Sequence, residues 1–212
     1  VDMARLDEAG WLRVTGRKKH ILVLSTGKKI APEPLETVLA SVRKTNRMVF
    51  VEEAWPVCSI GSEVCAQVAM QAFDDLHQER RVRAGIVTGA GTAFCAGMGM
   101  GGMQATAQHA DAYQQWHEDA VLYRELIDKM LLFPKPIIAA VNGPAVAGGA
   151  GLVLASDLVV ATPEAKFGLP EPRRGIVAGL VAPLLVFRVG GSQAANLLLT
   201  ARTIEPAEAH RI

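Results

Sequence analysis

Two glycine-bearing turns and one proline-flanked glutamate are the residues here whose types and spacing suit chemistry. The first turn runs Thr92-Ala93-Phe94-Cys95-Ala96-Gly97-Met98. The second runs Val141-Asn142-Gly143-Pro144-Ala145-Val146-Ala147-Gly148-Gly149-Ala150-Gly151. Each follows a β-type run. The second leads directly into a helical pattern, so its N–H groups stand at a positive dipole end without intrahelical acceptors. Small residues let a substrate approach such backbone closely. Two donors converging on one oxygen would make an oxyanion hole. The same turns also suit plain tight packing. Glu171 lies between Pro170 and Pro172, which predicts an extended, rigid backbone. A carboxylate held in this way suits general acid–base work. The alternative is an exposed loop glutamate paired with Arg173 or Arg174.

The elements that must position these residues divide near residues 50–58. Before the division lies a small basic α+β pattern. Trp11 to Val14, Ile21 to Leu24 and Met48 to Val51 read as strands, and Pro32 to Val42 as a helix with Pro early and acids in its first turns. After it, helices alternate with strands. Ser62 is placed to cap a helix with Cys65, Ala69, Phe73 and Leu76 at spacings of three and four. Ala84 to Thr88 reads as a strand. A long helix is predicted over Ala105 to Leu132, with Tyr113, Trp116, Ala120, Tyr123, Ile127 and Met130 on one face, ended by Pro134 and Pro136. Ile137 to Val141 reads as a buried strand, Gly148 to Ala155 as a short helix and Leu158 to Ala161 as another strand. Two helices follow, one after Gly179 and one capped by Ser192, and Pro206 opens a last one.

Composition narrows the function classes. Of 212 residues half are hydrophobic, as in a globular chain, and 22 basic against 21 acidic residues give a net charge of +1. No strong field draws nucleic acid or an anionic membrane, so neither partner is expected. Cys58, Cys65 and Cys95 form no Cys-x-x-Cys pair, and no disulfide framework or metal site is expected. A reducing, cytoplasmic setting fits, and no signal peptide is expected from Val-Asp-Met-Ala-Arg. Asn142-Gly143-Pro144 and Gly148-Gly149 interrupt the uncharged run before Asp157, which is read as strand, loop and helix instead of a membrane span.

The motifs occur in a set order. Phe-Cys-Ala-Gly at 94–97 is followed by Pro-Lys-Pro-Ile-Ile-Ala-Ala-Val-Asn-Gly at 134–143 and Gly-Gly at 148–149. Ser-Asp-Leu-Val-Val-Ala at 156–161 and Phe-Gly-Leu-Pro-Glu at 167–171 complete it. From about residue 58 to 212 the chain resembles the crotonase, or enoyl-CoA hydratase/isomerase, superfamily. The resemblance implies an α/β fold, a spiral of β-β-α turns truncated before its C-terminal helices, that assembles as a trimer or hexamer. It implies oxyanion-hole N–H groups at Met98 and Gly148 and a catalytic carboxylate at Glu171. Ala96, Gly97, Gly149, Gly151 and Pro170 are the implied substrate-binding positions. The substrate class would be an acyl-CoA thioester, with coenzyme A as part of it and no separate cofactor. Two positions depart from the pattern: the family's first catalytic glutamate falls on Gly151, and an aspartate common in the first turn falls on Gly99.

Residues 1–50 resemble the hinge and early C-terminal lobe of AMP-forming acyl-CoA ligases. Asp2, Arg5-Leu6-Asp7-Glu8-Ala9-Gly10-Trp11-Leu12, Thr15-Gly16-Arg17-Lys18-Lys19 and Gly27-Lys28-Lys29-Ile30-Ala31-Pro32-Glu33-Pro34 carry that likeness. No phosphate-cradling loop accompanies it, so no ATP site is expected. Two functional readings follow for the larger part. One is hydratase or isomerase chemistry through a thioester enolate. The other is a degenerate crotonase-like module that binds acyl-CoA without turnover.

Overall fold

The computed structural model describes residues 4–6, 12–14, 22–23, 29–30, 60–89, 92–97, 104 and 106–212. In the first part, β1 (Ala4–Leu6) pairs antiparallel with β2 (Leu12–Val14), and β3 (Leu22–Val23) with β4 (Lys29–Ile30). β2 and β3 fall on the expected strands. The expected helix at Pro32 to Val42 and strand at Met48 to Val51 lie outside the described residues, as do Asp2, Arg17 and Cys58.

Among the described residues, the larger part is built on two three-stranded sheets. β5 (Gly85–Thr88), β6 (Ile137–Val141) and β8 (Leu158–Ala161) form a parallel sheet with β6 in the middle. β7 (Pro144–Val146) and β9 (Lys166–Gly168) run parallel in the second sheet, and β10 (Thr203–Ile204) closes it antiparallel to β9. Cys95 joins the other side of β7 through a parallel bridge to Ala145. The chain therefore visits the first sheet, then the second, then a helix, three times over. β5 and Cys95 precede α2 (Ala112–Leu131), β6 and β7 precede α3 (Gly148–Ala155), and β8 and β9 precede α4 (Ala182–Thr200). This is the α/β, β-β-α spiral expected for residues 58 to 212.

The inner face of the first sheet is a period-two pattern made physical. Ile137, Ala139 and Val141 of β6 are fully or almost fully buried, while Ile138 and Ala140 face the other way. Against that inner face pack α1 (Ile60–Gln78) and α2, through Ala69, Phe73, Leu126, Ile127 and Met130. Each large apolar side chain buried here contributes about 1.5–3 kcal/mol. Phe73 meets Phe133 edge-on with ring centroids 5.1 Å apart. Asp157 ties the starts of β6 and β8 together: Ile137 N–H donates to its carboxylate at 2.8 Å, and its own N–H donates to the Ile137 carbonyl at 2.9 Å. A second core of Ala150, Leu169, Val181, Leu185, Leu197 and Ile204 joins α3, α4 and β10.

Several expectations need correction. Ser62 lies inside α1, which starts at Ile60, and so does not precede the helix as a cap. α2 starts at Ala112 instead of Ala105, and Tyr113 is exposed because α2 is buried only from Asp119 onward. The two helices expected after Gly179 and from Ser192 are both present, as two runs of α4 joined at Gly190, whose φ of 77° and ψ of 161° break the helical path. Pro206 opens α5 (Pro206–Ala209) as expected. The uncharged run from Ile137 folds as β6, β7 and α3, and no helix among the described residues is long and apolar enough to cross a membrane.

Candidate active site

The site begins with the row Cys95, Ala145, Phe167, three residues side by side on parallel neighbours. Parallel strands release their following residues at one edge. Ala96 and Gly97, then Ala147 and Gly148, then Leu169, Pro170 and Glu171 therefore emerge together. Hydrogen bonds fix the alignment. Val146 N–H donates to the Cys95 carbonyl at 3.0 Å, and Ala147 N–H to the Gly168 carbonyl at 3.0 Å. Gly89 N–H reaches Asn142 Oδ1 at 3.1 Å, which locks the end of β5 to the end of β6.

The two turns touch. A Cβ placed on Gly97 would lie 2.8 Å from Ala147 Cβ and 3.0 Å from Gly148 N. Gly97 also has φ of 76°, a conformation that favours glycine. Ala147 turns into α3 with φ of 53°, a strained conformation for alanine, and sets Gly148 as the first helical residue. The Gly148 and Gly149 N–H groups therefore precede the helix's own ladder of bonds. Gly149 is packed from behind: a Cβ there would sit 2.1 Å from the Cys95 carbonyl oxygen. Ala96 is exposed, and Pro170 is half-buried at the entry to the following turn. Met98 and Gly99 lie outside the described residues.

Glu171 opens a 3-10 turn over Glu171–Arg174, closed by Gly175 at φ of 71°. The extended backbone expected for Glu171 is thus overturned: Pro170 and Pro172 occupy the start of a turn, where a missing N–H costs nothing. Its Oε2 is buried and has no hydrogen-bond partner among the described residues. Burial raises its pKa above the ordinary carboxylate value, and a hydrogen bond from its own backbone N–H partly opposes that. A partly desolvated carboxylate is a stronger base than one bathed in water.

Gly151 faces Tyr123 of α2. A Cβ on Gly151 would fall 2.0 Å from the Tyr123 hydroxyl and 3.1 Å from Val181 Cγ2. Tyr123 Oη donates to the Gly148 carbonyl at 2.6 Å. Sequence reasoning placed Tyr123 only on a helix face. No spacing signals its role, because it meets residues 25 and 28 positions away only through the packing of α2 on α3. Cys95 is buried, and the Gly97 N–H approaches its sulfur at 3.4 Å. No group of three or more His, Cys, Asp or Glu among the described residues could hold a metal ion. A cavity of about 510 Å³ is lined by Val153, Leu185, Leu197 and Ile204; it borders Phe167 and Leu169 but not Gly97, Gly148 or Glu171.

A putative enoyl-CoA hydratase of Thermus thermophilus is 46% identical over 140 residues, which is 66% of this chain and 54% of that protein. A 1,2-epoxyphenylacetyl-CoA isomerase of Escherichia coli is 28% identical over 83% of this chain and 67% of its own length. The crystal structure of enoyl-CoA hydratase from Bacillus anthracis superposes with a TM-score of 0.63 at 30% identity, covering 69% of this chain and 56% of that one. The chain spans about half the length of the first curated relatives it matches. The ligase resemblance of residues 1–50 finds no support in these comparisons; a profile of the transketolase C-terminal domain matches residues 13–92 instead. The profile described as enoyl-CoA hydratase/isomerase matches residues 57–212, and the chain belongs to that family.

Proposed function

We propose that residues 58–212 act on an acyl-CoA thioester through its enolate, as a hydratase or isomerase. The Met98 and Gly148 N–H groups would hold the thioester oxygen as negative charge develops on it. Glu171 would take a proton from carbon and return one. Two preorganised donors suit this reaction because the enolate is too unstable to form readily in water, and losing one such donor elsewhere costs about 10²–10³-fold in rate. Ala96, Gly97 and Pro170 would border the acyl group, with Gly149 and Gly151 shaping the wall behind. Coenzyme A arrives as part of the substrate and no further cofactor is invoked. The single observation that carries the reading is the buried, unpartnered Glu171 Oε2 beside the touching Gly97 and Gly148 turns.

The assembly would be a trimer or hexamer. Residues 1–50 form a separate segment in this reading, without adenylating activity. A second reading, binding of acyl-CoA without turnover, is favoured by Gly151, which supplies no carboxylate. The decisive experiment incubates the chain with a panel of enoyl-CoA esters and follows products by mass. Hydrated or isomerised product that disappears in Glu171→Gln supports the enzyme. Tight acyl-CoA binding with no product from any ester supports the binding module.

A further inference from the structure

Tyr123 joins the parts of the mouth. Its hydroxyl donates to the Gly148 carbonyl at 2.6 Å. The same oxygen fills the volume into which any side chain at position 151 would start, 2.0 Å from an ideal Cβ. A Cβ on Gly148 would also lie 3.3 Å from the Tyr123 ring. Burial, then the nearby charges of Cys95 and Glu171, raise the phenol pKa, so it stays protonated near neutral pH. Its one proton is committed to Gly148, and only lone pairs remain to face the mouth.

We propose that Tyr123 is a positioning residue of this site: its hydroxyl anchors the Gly148 end of α3 and stands where the side chain of a carboxylate at position 151 would begin, which leaves Glu171 to move the proton alone. This rests on the reading of Gly148 as an oxyanion donor and Glu171 as the base. The step balances with one base. Glu171 removes a proton from carbon, the C–H electron pair passes into the thioester as an enolate, and the same carboxyl returns the proton at another carbon. No water is consumed, so the arrangement favours double-bond migration over hydration.

The test uses the full chain as Tyr123→Phe, Gly151→Ala and the double variant. Tyr123→Phe keeps the ring and loses the anchor. Its kcat on the best enoyl-CoA ester should fall about 10- to 100-fold, less than or equal to the loss for deleting an oxyanion donor outright, with KM little changed. A bound aryl-enoyl-CoA should show a smaller red shift in its absorbance than with the parent chain, because the thioester carbonyl is polarised less. Gly151→Ala alone should lower Tm, and much less so in the Tyr123→Phe background, where the nearest remaining contacts are 3.1 and 3.2 Å. Parent-like kcat and red shift in Tyr123→Phe, or additive losses of Tm, would overturn the positioning role while the functional reading stood. A parent chain with neither turnover nor red shift would sink the functional reading and the positioning role with it.

Discussion

Ile86, Leu158 and Val160 line the outer face of the first sheet, while Gly97 and Gly148 touch at the edge of the second, where the chain leads into Glu171. Both regions are open to solvent, but they leave different things unsatisfied. On the sheet face the exposed groups are side chains only. Ile86, Ile138 and Leu158 share a cross-strand row, and Val160 stands beside Ala140, with Ile86, Leu158 and Val160 each more than half exposed. At the mouth they are backbone donors at the start of α3, together with one buried carboxylate oxygen that has no partner among the described residues. An apolar face asks for any complementary apolar surface. Directed donors and a desolvated base ask for a particular atom in a particular place. The difference separates what should control assembly from what should control chemistry.

The largest effect should come from the mouth. Glu171→Gln keeps shape and removes the base, so turnover should fall about 10²–10⁴-fold while acyl-CoA binding, measured by calorimetry, survives. Near-parent turnover would move the base to another residue. Next is Gly151→Glu. The alignment alone suggests that it would restore a second carboxylate and raise hydration. The structure reverses that expectation, since the Tyr123 hydroxyl blocks the first atom of the side chain. Overpacking of this kind costs about 1–3 kcal/mol, so Tm should drop without any gain in hydrated product. A stable variant with raised hydratase activity would show that Tyr123 swings aside easily.

The sheet face supplies the third contrast. Val160→Lys should reduce self-association in light scattering, because a charge on the apolar face penalises its burial against another copy. An unchanged mass would mean that this face is not used for assembly. The smallest effect is in pH dependence. The Glu171 pKa is raised by burial, so kcat/KM should climb with pH around a midpoint above the ordinary carboxylate value. The folded chain binds this proton more tightly than the unfolded chain does. Stability therefore falls as pH rises from the unfolded pKa through the folded one, and the penalty is full above it. Glu171→Gln should gain thermal stability over the parent above that window and none below it. Equal pH dependence in both chains would mean that the carboxylate is not desolvated.

Local pattern carried much of the fold. β6, α3 and β8 begin and end at the residues where their apolar runs meet Pro, Asn-Gly, Gly, Ser-Asp or Thr-Pro, because those boundaries depend on neighbours in sequence. β7 and β9 were not legible as strands: each is three residues long and becomes a strand only through its neighbours in the second sheet. The ordered motifs also named Gly148 and Glu171 without showing how they meet.

The sequence by itself determined the family, the order of the longer helices and strands and the small residues at the two turns, since each is written in a contiguous stretch. Only the tertiary structure decided that Gly97 touches Gly148, because that contact needs the parallel row of Cys95, Ala145 and Phe167. Only it decided that Glu171 starts a turn and does not lie extended, and that Tyr123 fills the space above Gly151. It also decided that β8, as apolar as β6, stays exposed. Burial belongs to a strand's neighbours on both sides, and β8 is an edge of its sheet among the described residues.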